Sequence, residues 1–176
     1  MQLTVAGKRC HVGTGGKPFD PAGSLYPPLV LVHGAANDRD CWRQIAGGLT
    51  AAGCALLVPD LPGHGQSAGP PLRSIEALAD WLPALLDAAG VEQAVLVGHS
   101  MGSLIALECA ARHPQRVSSL ALLGSSAPMP VAEALLGRAE THRDSVVRLM
   151  TEYSHSLQFL LTGGGGHGIW GPGATL

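Results

Sequence analysis

The chain is 176 residues long, 46% hydrophobic and only 14% charged, with a formal net charge of −2. That length suits one well-cored domain, and the composition excludes a disordered chain. No basic excess is present to draw in nucleic acid or an anionic membrane surface, so neither is expected as a partner.

Residues 3–12 alternate loosely between apolar and polar, with Gly13-Thr14-Gly15-Gly16 behind them. This reads as one or two antiparallel strands and a loop. The glycine cluster is not read as a phosphate cradle, because Pro18 follows Lys17 where that motif needs Ser or Thr. Residues 18–28 form a loop broken by prolines and glycines. Leu29-Val30-Leu31-Val32 reads as a buried strand ending at His33-Gly34-Ala35. A helix is expected over 40–49, with Trp42, Ile45 and Leu49 on its inner face. Residues 54–58 form the next buried strand, ending at Pro59-Asp60 before the turn Leu61-Pro62-Gly63-His64-Gly65-Gln66-Ser67. Ser74 is the expected N-cap of a helix carrying Ile75, Leu78, Leu82, Leu85 and Leu86 on one stripe. Pro83 should kink that helix or shift its start.

The stretch from Ala94 to Ile105 organises the rest. Residues 94–97 are a short apolar run suited to a strand buried on both faces, and a helical pattern runs from Met101 to His113. Between them lies Gly98-His99-Ser100-Met101-Gly102. Such a strand-to-helix turn strains its central residue and demands small neighbours two positions to either side. The Ser100 hydroxyl is thereby lifted above the sheet edge, and the Met101 N–H is left free at a helix N-terminus. The helix presents Met101, Leu104, Ile105 and Cys109 inward, and pairs Glu108 with Arg112 on its solvated face. Residues 117–123 are a fifth apolar run. Strands and helices in this succession give a doubly wound, mainly parallel α/β sheet with helices on both faces. Residues 131–161 read as two or three short amphipathic helices, followed by a Gly/Pro-rich tail.

No apolar run approaches the ~18 residues of a membrane span. Residues 1–9 lack the apolar core of a secretory signal. Cys10, Cys41, Cys54 and Cys109 are scattered, with no C-x-x-C and no histidine at metal spacing. Reduced thiols, no metal and a cytoplasmic location are the expectation.

Three segments together resemble the α/β-hydrolase fold family, in the family's order and spacing. They are Leu31-Val32-His33-Gly34-Ala35, Asp60-Leu61-Pro62-Gly63-His64-Gly65-Gln66-Ser67 and Gly98-His99-Ser100-Met101-Gly102. The resemblance is firm over residues 3–126, giving an N-terminal part of the hydrolase core at 1–127. It is weaker over 128–176, which looks like a partial helical cap. It implies a serine hydrolase of a small carboxylic ester or related acyl compound, needing no cofactor. Ser100 would be the nucleophile, and the backbone N–H groups of Ala35 and Met101 the oxyanion donors. Gly34, Gly98 and Gly102 would support them. His33 would orient its loop by hydrogen bonding, and His99 and His64 would be structural. Asp60 would anchor its own glycine turn, and Met101 and Trp42 would be core or pocket wall.

The family orders its triad as Ser, then Asp or Glu, then His. Here Gly124-Ser125-Ser126-Ala127 carries no carboxylate, and no strand-like run follows Leu123. The last two strands of the family are therefore expected to be missing, leaving residues 117–123 as a bare apolar edge. The histidines after Ser100 are His113, His142 (near Asp144), His155 and His167, none of them read as the base. As written, the chain is expected to be a truncated and inactive hydrolase. A serine at the elbow argues against members with a carboxylate nucleophile. The alternatives are a C–C bond hydrolase, a cofactor-free perhydrolase, a non-catalytic binding module, or a fragment completed in trans. A homo-oligomer stays open.

Overall fold

The computed structural model describes residues 1–131, together with 137, 139, 141–142 and 145–146. Six strands and three α-helices are laid out over the first 123 residues: β1 (Gln2–Val5), β2 (Lys8–Gly13), β3 (Leu29–Val32), α1 (Arg43–Ala51), β4 (Leu56–Pro59), α2 (Ile75–Ala88), β5 (Ala94–His99), α3 (Met101–Arg112) and β6 (Val117–Leu123). The chain divides into two compact units, Met1–Ala127 and Pro128–Leu176. The cap helices expected after Pro128 lie almost wholly outside the described residues.

The strands form one sheet in the order β1-β2-β4-β3-β5-β6. β1 pairs with β2, and β2 with β4, antiparallel. The pairs β3–β4, β3–β5 and β5–β6 are parallel. The chain leaves β3 toward β4 and returns to β5 on the other side. Crossovers on both sides of β3 make a switch point between the carboxyl ends of β3 and β5, where ligands of open α/β sheets bind.

Alternation along the central strands feeds two cores. Val30, Val32, Leu57 and Leu96 pack against α2 and α3 with Leu78, Leu82, Leu85, Ile105 and Cys109. Leu31, Leu56 and Val58 face the other way, onto Trp42 and Ala46. The sheet is thus covered on both faces. The Ser74 hydroxyl accepts from the Ala77 N–H, 3.1 Å away, and starts α2 at Ile75. The helix then continues through Pro83 to Ala88, so the proline does not shift its start. All four cysteines are free thiols.

Two expectations are corrected. The segment after β3 opens with a 3₁₀ turn at Arg39–Trp42, capped by the Asp38 side chain, before α1 begins. That tighter turn changes the helical phase, so Ala46 and Thr50 follow Trp42 inward and Ile45 is 48% exposed. β4 starts at Leu56 rather than Cys54. Among the described residues β6 is an edge strand, and along it Leu120, Leu122 and Leu123 are 36%, 38% and 44% exposed.

Candidate active site

Ser100 stands alone between β5 and α3, with φ +53° and ψ −122°. A residue with a side chain rarely holds that backbone. Its surroundings enforce it. The Ser100 N–H donates to Leu123 O at 2.9 Å, and the Ser103 N–H and hydroxyl both donate to Ser100 O, at 2.8 and 2.6 Å. A Cβ on Gly98 would run into the Gly102 carbonyl and come within 2.6 Å of Ser103 Cα. One on Gly102 would run into the Val32 carbonyl and lie 2.7 Å from His33 O. The strand, the helix and the neighbouring strand therefore touch backbone to backbone, and only glycine fits.

The segment after β3 comes to the same place. A Cβ on Gly34 would sit 3.2 Å from both Ser100 Cβ and His99 O, so Gly34 passes directly beside the serine. Ala36 then turns with φ +54°. No hydrogen bond among the described residues occupies the N–H of Ala35 or of Met101, the first residue of α3. A half-buried serine beside a helix N-terminus whose first amide, that of Met101, is unpaired among the described residues can bind an oxygen that is gaining negative charge.

His33 is held by hydrogen bonds at both ring nitrogens. It is wholly buried, its Nε2 accepts the Leu61 N–H at 3.1 Å, and its Nδ1 therefore donates to Gly34 O at 2.8 Å. Burial pushes its pKa down to about 4, with the nearby His64 a smaller contribution in the same direction. It stays neutral and holds its loop. His64 packs its ring 5.2 Å from that of His33, with Nδ1 3.1 Å from Pro62 O. His99 sets its ring edge-on to Trp42, at 6.4 Å and 89°, and burial lowers its pKa. Trp42 is core, 4% exposed.

Asp60 anchors its own turn by taking the Gln66 N–H at 2.9 Å. It also takes the Arg39 N–H at 2.9 Å and ion-pairs with the Arg39 guanidinium, a partnership the sequence did not suggest. Among the described residues, one histidine pairs with a carboxylate: His113, whose Nε2 lies 2.7 Å from Asp80 Oδ1. It follows the far end of α3, roughly 20 Å from Ser100 at the rise of an α-helix. His142 bonds Thr141 Oγ1. His155, His167 and Asp144 lie outside the described residues.

A family model described as alpha/beta hydrolase fold matches residues 27–145. Among curated proteins, the dihydrolipoyllysine-residue acetyltransferase component of the acetoin cleaving system of Pseudomonas putida is 40% identical over 121 residues. That match covers 68% of this chain and 32% of the relative. The pimeloyl-[acyl-carrier protein] methyl ester esterase of Chromobacterium violaceum is 42% identical over 100 residues, covering 57% of this chain and 37% of the relative. Among solved structures, the enol-lactonase from Burkholderia xenovorans LB400 superposes with a TM-score of 0.72 at 26% identity, covering 88% of this chain and 58% of that one. The chain thus spans about a third of the length of these two curated relatives.

Proposed function

The chain belongs to the alpha/beta hydrolase fold family, and from that premise we propose that it hydrolyses a small carboxylic ester or related acyl compound through an acyl-enzyme on Ser100. The observation that carries this is the Ser100 backbone, forced to φ +53° where β5 becomes α3, with Gly34 against its Cβ. The names of the three similar proteins support it, since acetyl transfer, methyl-ester cleavage and lactone opening all move an acyl group.

In this reading the Ser100 hydroxyl adds to the acyl carbonyl while its proton passes to a base. The Ala35 and Met101 N–H groups hold the oxygen that becomes negative. Collapse expels the alcohol, which takes up the proton. Water then repeats the addition, releasing the acid and restoring the Ser100 hydroxyl. The described residues bring no imidazole–carboxylate pair to Ser100, so the base comes from outside them. An elbow and oxyanion site without their base retain about 10³–10⁴-fold catalysis over water.

A fluorophosphonate probe tests the reading by mass-spectrometric mapping of its adduct. Slow labelling confined to Ser100, and lost in Ser100→Ala, is the expected result. Adducts spread over surface serines with no preference for Ser100 would overturn it, and labelling within minutes would place a working base among these residues.

A further inference from the structure

We infer that Asp60 is a positioning residue of the acyl site, fixing the far end of the segment 33–39, whose near end hangs from its neighbour Leu61, and so holding the Ala35 N–H against Ser100. The inference rests on the acyl-transfer reading above, because a position for that amide matters only if it meets substrate.

The clamp is built from two consecutive residues just past the end of β4. Asp60 is wholly buried. Its Oδ1 takes the Arg39 N–H at 2.9 Å, its Oδ2 takes the Gln66 N–H at 2.9 Å, and the Arg39 guanidinium closes an ion pair on Oδ2. Its neighbour Leu61 donates to His33 Nε2 at 3.1 Å. The far end of the segment thus hangs from Asp60 and the near end from Leu61. The Asp60 N–H itself is fixed to His11 O at 2.9 Å, and its carbonyl accepts the Ser67 hydroxyl at 2.7 Å, so the anchor is tied to β2.

Between the two anchors the backbone is under constraint. Ala36 is held at φ +54°, a conformation that a residue with a Cβ keeps only when its surroundings over-determine it. Of the local bonds in this stretch, Asp38 N–H to Asn37 Oδ1 and Asp40 N–H to Asp38 Oδ1 shape its far side, and His33 Nδ1 to Gly34 O its near side. The Ala35 N–H has no hydrogen bond among the described residues; its peptide group is oriented through Gly34 O, which His33 Nδ1 holds from the near end, while Asp60 fixes the far end. Donors to an oxyanion work by being fixed before charge develops, and loss of one costs about 10²–10³-fold in rate. A buried carboxylate that accepts two amides and a guanidinium is a rigid post. Removing its charge leaves the guanidinium, whose side chain is 18% exposed, with only the exposed Asp40 carboxylate 3.9 Å from its Nε.

The test uses the whole chain carrying Asp60→Asn or Arg39→Lys, with two readouts. Backbone amide exchange is followed over 33–39 and, as a reference, over α2, while the slow phosphonylation of Ser100 is timed. The expected result for Asp60→Asn is at least tenfold faster exchange in 33–39, unchanged exchange in α2, and at least tenfold slower labelling. Arg39→Lys, which keeps the charge, should fall between wild type and Asp60→Asn in both. Unchanged exchange in 33–39 overturns the inference. Equal acceleration in α2 also overturns it, by making Asp60 a general stabiliser, as does faster loop exchange with labelling unaltered. If Asp60→Asn does not fold, Arg39→Lys carries both readouts with the same criteria. Failure of wild-type Ser100 to label selectively sinks the acyl-transfer reading separately, and the exchange readout still decides whether the clamp exists.

Discussion

Leu61 donates its backbone N–H to Nε2 of His33 across 3.1 Å, which fixes the proton of that buried ring on Nδ1. The charged imidazolium has no acceptor at Nε2, and burial already opposes it, so the folded pKa drops to about 4 from an ordinary value of 6.5. The sign of the linkage follows. The unfolded chain binds this proton first as pH falls, so stability is full above pH 6.5 and drains away as pH drops toward 4. The whole effect is on the order of 3 kcal/mol. Urea unfolding at several pH values should show that loss in wild type and a flatter profile in His33→Gln. Parallel profiles would mean that the ring is not held neutral.

The contact between β5 and α3 makes a sharper structural demand. A methyl group at Gly98 meets the Gly102 carbonyl, and one at Gly102 meets the Val32 carbonyl, both backbone atoms that have nowhere to go. Gly98→Ala and Gly102→Ala should each cost at least about 3 kcal/mol or abolish folding. Gly47→Ala, where nothing lies within 4 Å of the new Cβ in the same unit, serves as the control. It should be neutral or stabilising, since alanine is the better helix former. Thermal melts of the three variants decide the point.

How far the sequence carried this picture depends on the range of the interaction. The Ser74 cap, the apolar stripe of α2 and the contact of Gly98 with Gly102 act over a few residues, and each left its signature in the local pattern. The 3₁₀ turn at Arg39–Trp42 did not, because its tighter winding is set by Asp38 capping and by the Asp60 carboxylate 21 residues away. Periodicity counted from Asp40 therefore put Ile45 on the wrong face. The Asp60–Arg39 pair was invisible for the same reason. So was the bridge in which Asp80 of α2 takes Arg112 at 2.8 and 2.7 Å and His113 at 2.7 Å, across 32 and 33 residues. Charged residues that look like independent solvated faces in the sequence are joined only once the helices pack.

The strain at Ser100 gives a prediction in the opposite direction to most substitutions. A non-glycine residue at φ +53°, ψ −122° costs about 1–3 kcal/mol, held in place by the bonds from Ser103 and to Leu123. Ser100→Gly releases that cost and gives back part of it through the freer unfolded chain. A net gain of about 1 kcal/mol is expected, together with complete loss of phosphonate labelling at this position. Ser100→Ala also loses the label but keeps the strain, so it should unfold near the wild-type midpoint. Equal stability of the two variants would mean that the elbow is not strained.

The last prediction concerns the open side of the sheet. β6 ends the strand order, and among the described residues no strand pairs with its outer edge. Its seven residues, Val-Ser-Ser-Leu-Ala-Leu-Leu, include no charge and no proline. Those are the devices by which edge strands resist pairing with another chain. Three of its leucines are 36–44% exposed, so strand addition here would bury apolar surface as well as satisfy backbone groups. The chain should therefore self-associate at micromolar concentration and above, with light scattering that rises with concentration. Leu122→Lys places a charge on this edge at a residue already 38% exposed, so it should suppress the association and leave the melting midpoint nearly unchanged. Association that persists in Leu122→Lys would assign the contact to another surface, and a wild-type chain that stays monomeric would show the edge to be protected by residues beyond β6.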